Sequence, residues 1–363
     1  MKTLIYNEIR IFFSKRNIGI FIIGCLSMIV IFCFYFVPEH NNYILSQVHY
    51  YEQMVTSDAT RSKIITEQIN RMKEIGEDTE KLEKSRDFWQ ADLENCRLVS
   101  YNLEHENASN MAKAMIKRDK FLQKVIDEGG DLSSYSIMLR NDERDLKNRI
   151  ELQDIYMKNQ FYDFVYEKMP TAYYMLSNFF VFGGIPIIVI LACVILSDFD
   201  CWSKDFESNT YKLLFTMTGS RAKIYLARTI VTTIATMTMS LMMIGILFVL
   251  GYFTYGLGDE VFVIVKNTFV PISTWCMNNL MITIVLLVFL STMIQVLSLL
   301  IKNSGISLLV PCLCMLVILT DIDLFNSIFS INPLILWIII LSIAIIHFCM
   351  VKYLERIDLN GTN

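Results

Sequence analysis

The chain has 363 residues, 54% of them hydrophobic, with a mean hydropathy of +0.43 and a formal net charge of -4. The apolar excess over an ordinary soluble domain (about 45–50% apolar) lies in long blocks, which excludes a simple water-soluble domain. No stretch is strongly basic with interleaved aromatics, so a nucleic-acid partner is excluded as well.

Residues 1–16, "MKTLIYNEIRIFFSKR", set Leu4, Ile5, Ile9, Phe12 and Phe13 near helical spacing, with Lys2, Arg10, Lys15 and Arg16 elsewhere. That is the pattern of an amphipathic helix lying along a membrane surface. The block 18–37 follows. A span needs about 20 mostly apolar residues to cross about 30 Å of hydrocarbon, and it must be helical because lipid offers the backbone no water. "IIGC" at 22–25 resembles a lipoprotein cleavage box, but the apolar run continues well past Cys25, so the block reads as an uncleaved span.

Residues 38–170 are rich in Glu, Lys, Arg, Asn and Gln, with no proline between Pro38 and Pro170. Apolar residues recur at three and four: Ile65, Ile69, Met72; Leu82, Trp89, Leu93, Cys96; Leu146, Ile150, Ile155. This predicts helices with one buried stripe. Breaks at Gly76, at 105–110 and at 128–134 divide them into about four, packed as an antiparallel hairpin or bundle. Asn107-Ala108-Ser109 fits a glycosylation sequon, a motif short enough to occur by chance.

Five more spans are predicted at 171–197, 229–253, 278–301, 305–320 and 334–351, before a tail at 352–363. In span two, Gly183, Gly184 and Pro186 permit a kink, either a hinge or a packing accommodation. In span three, Thr229, Thr232, Thr236 and Ser240 share one face, beside Thr233. They suit a close-packed helix interface or a polar substrate path. Lys and Arg concentrate in the N-terminal segment, in loop 198–228 and around Lys302, Lys352 and Arg356, whereas loop 254–277 has only Lys266. The positive-inside rule then places both termini and loop 198–228 in the cytoplasm and 38–170 outside.

The chemistry is sparse. The spans carry essentially no ionisable residue of the kind that marks a proton or sodium path. Asp198 and Asp200 fall at the end of span two, Asp321 and Asp323 beyond span five, and His347 near the inner end of span six. There is no GxxxxGK[ST] loop, HExxH helix or GxSxG elbow. The nine cysteines form no CxxC pair, and only Cys96 lies in the long polar region, so they read as inert core residues. No catalytic residue, metal ligand or bound cofactor is expected in this chain.

Loop 198–228 therefore draws attention. "SKDFESNTYKLL" suits a short helix capped by Ser203 or Asp205, with Asp205 and Glu207 near its positive end and Phe206, Leu213 and Leu214 along an apolar edge. Glu207, Thr210, Leu213, Leu214, Ser220, Arg221, Ile224 and Arg228 together resemble the pattern of permeases of the type-2 ATP-binding-cassette (ABC) exporter family, although Asn209 and Gly219 stand where that family often has Gly and Pro. The resemblance covers the spans and the loop but not residues 38–170. It implies that Asp205, Phe206, Glu207, Thr210, Leu213, Leu214 and Arg221 form a coupling helix docking on a separate cytoplasmic ABC ATPase. It also implies a second permease subunit, identical or different, with ATP and Mg held by the ATPase, and export of an amphipathic peptide, lipid or hydrophobic drug.

The expectation is an all-α integral membrane protein of a bacterial plasma membrane, surrounded by lipid, with six spans, an N-terminal amphipathic helix and a large helical extracellular domain. It acts as a transport subunit and not as an enzyme. The alternative is a membrane sensor or immunity protein whose outer helices capture a peptide or envelope component.

Overall fold

The computed structural model describes residues 2–105, 107–128, 143–160, 162, 168–180, 185–212, 220–258, 261–265, 268–320 and 333–356. In chain order the helices are α1 (Lys2–Phe12), α2 (Lys15–Ile31, running on through a π-helical turn at Phe32–Phe36), α3 (Val37–Ile75), α4 (Glu80–Glu104), α5 (Ala108–Asp127) and α6 (Glu143–Lys158). Then come α7 (Ala172–Phe180), α8 (Ile185–Asp198), α9 (Ser203–Glu207), α10 (Arg221–Tyr255), α11 (Ile272–Ile301), α12 (Ser304–Thr320) and α13 (Pro333–Arg356). A hairpin of β1 (Phe262–Val265) and β2 (Thr268–Pro271) precedes α11.

Among the described residues, five helical stretches are long and apolar enough to cross a membrane: Lys15–Ile75, Ile185–Glu207, Arg221–Tyr255, Ile272–Ile301 and Leu336–Arg356. The first is apolar only through α2 and the π-helical turn, and α3 is polar. The expected span 171–197 is two helices, α7 and α8, with 181–184 outside the described residues. The expected fifth span falls on α12, which is apolar but has 17 residues, with Pro311 inside it. The chain is thus an almost wholly helical membrane protein.

It divides into two compact units. Unit 1 comprises Met1–Phe36, Pro170–Asp259 and Ile272–Asn363, and unit 2 comprises Val37–Met169 and Glu260–Pro271. In unit 1, α10 is the central element, touching α1, α2, α7, α8, α11 and α13. Small residues let its neighbours approach closely. A side-chain carbon at Gly24 of α2 would meet the Met243 sulfur at 2.5 Å and the Cys193 sulfur at 3.0 Å, and one at Gly251 would meet the backbone of Pro170–Ala172 at 3.0 Å. Helix α1 packs on α10 through a face that includes Phe12 and the acid Glu8. Phe12 is buried against Val231, Ala235 and Met239 of α10, while Tyr6, Ile9, Ile11 and Phe13 remain exposed.

In unit 2, α3 packs on α4, α4 on α5 and α5 on α6. The first two breaks fall where the sequence places them, and 129–134 lies outside the described residues. Gly76 takes φ +80 after α3, a conformation open to glycine at little cost. Asn107 caps α5 by accepting the Asn110 amide at 3.1 Å, which satisfies one orphan donor of the first turn. Ile69, Trp89, Cys96 and Leu146 of the predicted stripe are buried. Two features were not expected. The hairpin, antiparallel from Phe262↔Pro271 to Val265↔Thr268, is a small addition to an all-α chain and joins this unit by a bond from the Phe262 amide to the Tyr156 hydroxyl at 3.0 Å. The core also holds buried charge: Asp58, Asp92, Arg118 and Asp119.

Candidate coupling site around residues 198–228

Helix α9 is shorter than expected and is capped differently. It covers Ser203–Glu207, its N-cap is Trp202, and no side chain makes a capping bond. Neither Ser203 nor Asp205 serves. Instead the amides of Trp202 and Ser203 both donate to Ser298 Oγ of α11 at 3.0 Å. Because Trp202 and Ser203 are fully buried, one hydroxyl from a neighbouring helix does what water does at an exposed helix end. After α9 the chain turns at Asn209, whose φ of +57 is one that asparagine tolerates better than most residues.

The two acids of α9 also act away from their own helix. Asp205 accepts from Arg228 Nη1 and from the Thr210 hydroxyl at 3.1 Å. Glu207 accepts the Ser304 amide at 2.7 Å and the Ser304 hydroxyl at 2.8 Å, placing an anion at the N-terminus of α12, where the helix dipole favours it.

Arg228, on the first turns of α10, is the hub. Its side chain is 6% exposed. Its Nε donates to Glu8 Oε2 at 2.9 Å, its Nη1 to the Cys201 carbonyl at 3.0 Å as well as to Asp205, and its guanidinium lies 4.5 Å from the Trp202 ring centroid. Only a planar fork of donors can serve three directions and a ring face at once. The cation thereby ties α1, the α8–α9 turn and α9 to α10. Beside it, Arg16 pairs with Asp200. These groups line a cleft of about 320 Å³ that also takes in Lys15, Lys204 and Thr232.

The remaining expected coupling residues spread around this hub. Phe206 meets Tyr211 at a ring separation of 4.7 Å, with the Lys302 ammonium 5.4 Å from its centroid. Arg221 donates to the Leu354 carbonyl at 3.3 Å, so the start of α10 touches the end of α13. Trp202, Ile224, Tyr225, Leu299, Met350 and Leu354 form the apolar floor. Lys204, Glu207, Ser208, Asn209, Thr210 and Lys212 are exposed. Leu213 and Leu214 lie outside the described residues.

Thr229, Thr232, Thr236 and Ser240 are all buried. Thr236 donates to Asp198 Oδ1 at 2.8 Å, Thr232 meets the Cys201 sulfur at 3.5 Å, and Ser240 returns its hydroxyl to the Thr236 carbonyl at 2.9 Å. Asp198 was expected as an end-of-span residue. It is fully buried, and it also accepts from Ser291 of α11. The cause is long-range, since its hydroxyl partners come from α10 and α11, 38 and 93 positions away. Of the expected hinge, Pro186 is the second residue of α8, where its missing amide proton costs nothing, and Gly183 and Gly184 lie outside the described residues. Glu8, Ser298 and Ser304 were not singled out from sequence. Glu8 alone left a trace, as an acid set within the amphipathic N-terminal helix.

The arrangement bonds α9 to α10, α11 and α12. Among the described residues, the group of His, Cys and acidic side chains close enough to share an ion is Asp58, Asp92 and Cys96 in unit 2, remote in sequence from this loop. Comparison with protein-family models, with curated proteins and with solved structures returned no match to the chain.

Proposed function

We propose that the protein is the permease subunit of an ABC transporter, coupling ATP hydrolysis in a separate cytoplasmic subunit to export of an amphipathic peptide, lipid or hydrophobic drug. The observation that carries this reading is the way α9 is anchored. Asp205 joins it to α10 and α1 through Arg228, Glu207 joins it to α12, and Ser298 joins it to α11. A five-residue helix bonded to so many spanning elements, with one edge exposed, is built to move the bundle when something outside pushes it.

The proposed topology has six spans, with unit 2 extracellular and both termini inside. Two contacts support it. Glu207 bonds Ser304 at the start of α12 and Arg221 bonds Leu354 at the end of α13. These contacts at one end of unit 1, at the start of α12 and the end of α13, accord with both helices crossing. Likewise, the hairpin between α10 and α11 belongs to the same unit as 37–169. A shared unit is what the proposed topology expects of two segments on one side of the membrane.

The test is co-expression with a candidate ATPase. Reversal of charge at Glu207 and Arg221 is expected to abolish transport and uncouple ATPase stimulation. Unchanged ATPase binding and transport would defeat the proposal.

A further inference from the structure

Unit 2 carries a second feature that the coupling reading does not use. Asp58 of α3 and Asp92 of α4 are both 0% exposed. A carboxylate oxygen of each and the Cys96 sulfur lie within 4.8 Å of one another. Asp92 is satisfied, because Arg118 of α5 donates to its two oxygens at 2.9 and 3.3 Å. Asp119 of α5 is satisfied too, by Arg149 at 2.8 Å to each oxygen and by Gln153 at 2.9 Å. Neither oxygen of Asp58 has a hydrogen-bond donor. The charges therefore cancel in pairs, Asp92 with Arg118 and Asp119 with Arg149, and Asp58 is left over.

A buried carboxylate without a hydrogen-bond donor is among the most costly groups a fold can hold. Two carboxylates side by side relieve this when they share one proton, since the protonated partner becomes a donor. A metal ion suits the site poorly. Arg118 already occupies the Asp92 oxygens, and burial pushes the Cys96 thiol up to about 12, so it stays protonated. We propose that Asp58 and Asp92 form a buried proton-binding site that latches α3 to α4, loaded in acid and emptied as the medium turns alkaline.

The titratable and charged groups around Asp58 are Tyr51 and Arg61 on its own helix, Asp92 and Cys96 on α4, and Arg118 and Asp119 on α5. Burial first, and the Asp92 charge second, push the Asp58 carboxyl up to about 7, against the pull of Arg118 and Arg61. An acid that holds its proton more tightly folded than unfolded contributes stability that is complete below the ordinary carboxylate range. That contribution is lost as pH rises toward 7. Above that, Asp58 and Asp92 are both anionic, and the α3–α4 contact loosens.

The test uses the full chain in detergent or nanodiscs. Infrared spectra of wild type, titrated from pH about 5 to about 9, are expected to show a buried protonated-carboxyl band that disappears near neutrality, and Asp58→Asn is expected to lack it. Hydrogen exchange at matched intrinsic rates, on wild type alone, guards against misfolding of the variant. Amides of α3 and α4 around Asp58 and Asp92 are expected to exchange about tenfold faster at the alkaline end, with α10 unchanged. The proposal is overturned if the band persists in Asp58→Asn, or if wild-type exchange in α3 and α4 ignores pH. A stoichiometric divalent ion lost on Asp58→Asn would also overturn it.

Discussion

Arg228 and Glu8 stand 220 residues apart and form a buried ion pair, Nε to Oε2 at 2.9 Å, with both side chains about 95% buried. Such a pair is costly to break from one side, because the surviving charge is stranded away from water. Arg228→Met is expected to destabilise unit 1 by about 3–5 kcal/mol, as it strands Glu8 and part-buried Asp205 together. Glu8→Gln, which keeps an acceptor, is expected to cost about 1–3 kcal/mol. Thermal unfolding in detergent with an intrinsic-fluorescence readout checks the order.

Ser298 accepts both buried amides at the N-terminus of α9. Ser298→Ala leaves the buried amides of Trp202 and Ser203 without their acceptor, at about 1–3 kcal/mol for each unsatisfied group. The expected signature is local: hydrogen exchange at 202–207 accelerates while the middle of α10 keeps its protection. Uniform acceleration across the unit would show that Ser298 acts as bulk packing.

Two helix breaks, part of the buried stripe and five of the apolar helices were legible because each is a local pattern. Gly76 and Asn107 end and begin helices by their own backbone preferences, and Ile69, Trp89 and Leu146 follow the helical period into the core. The polar contacts were not legible. Arg118 meets Asp92 from 26 positions away, Ser304 meets Glu207 from 97, and Arg228 meets Glu8 from 220, and no spacing rule reaches that far. The acids of α9 misled for the same reason: local electrostatics assigns them to their own helix, whereas tertiary partners claim both. The hairpin did leave a signal in the β-branched run Val261–Val265 before Lys266-Asn267, hidden by its place among apolar spans.

In unit 2, Arg118→Met removes the donor to Asp92 and leaves two carboxylates facing each other. A loss of about 3–5 kcal/mol is expected near neutral pH. The sign of its pH dependence follows from the same contacts. Acid protonates the stranded carboxylates, so the deficit relative to wild type shrinks as pH falls. Denaturant midpoints of the two proteins at a series of pH values test this, and a deficit independent of pH would mean that the arginine matters for its packing alone.

Gly251 and Gly245 lie on the same helix in opposite surroundings. An added carbon at Gly251 meets backbone at 3.0 Å, whereas at Gly245 nothing lies within 4 Å. Gly251→Ala is expected to cost about 1–3 kcal/mol, because backbone cannot rotate aside as a side chain can. Gly245→Ala is expected to leave the unfolding temperature unchanged or slightly raised.

The central claim is that the exposed edge at Ser208–Thr210 is gripped by a separate ATPase. A single cysteine placed at Asn209, in a background where the exposed native cysteines are replaced, allows cross-linking in intact membranes from cells that also express the candidate ATP-binding subunit. The account predicts a cross-linked species that contains that subunit, and whose yield changes when ATP is trapped. A cysteine at 209 that is labelled by membrane-impermeant reagents from outside the cell, or that never joins an ATP-binding subunit while transport proceeds, would contradict it.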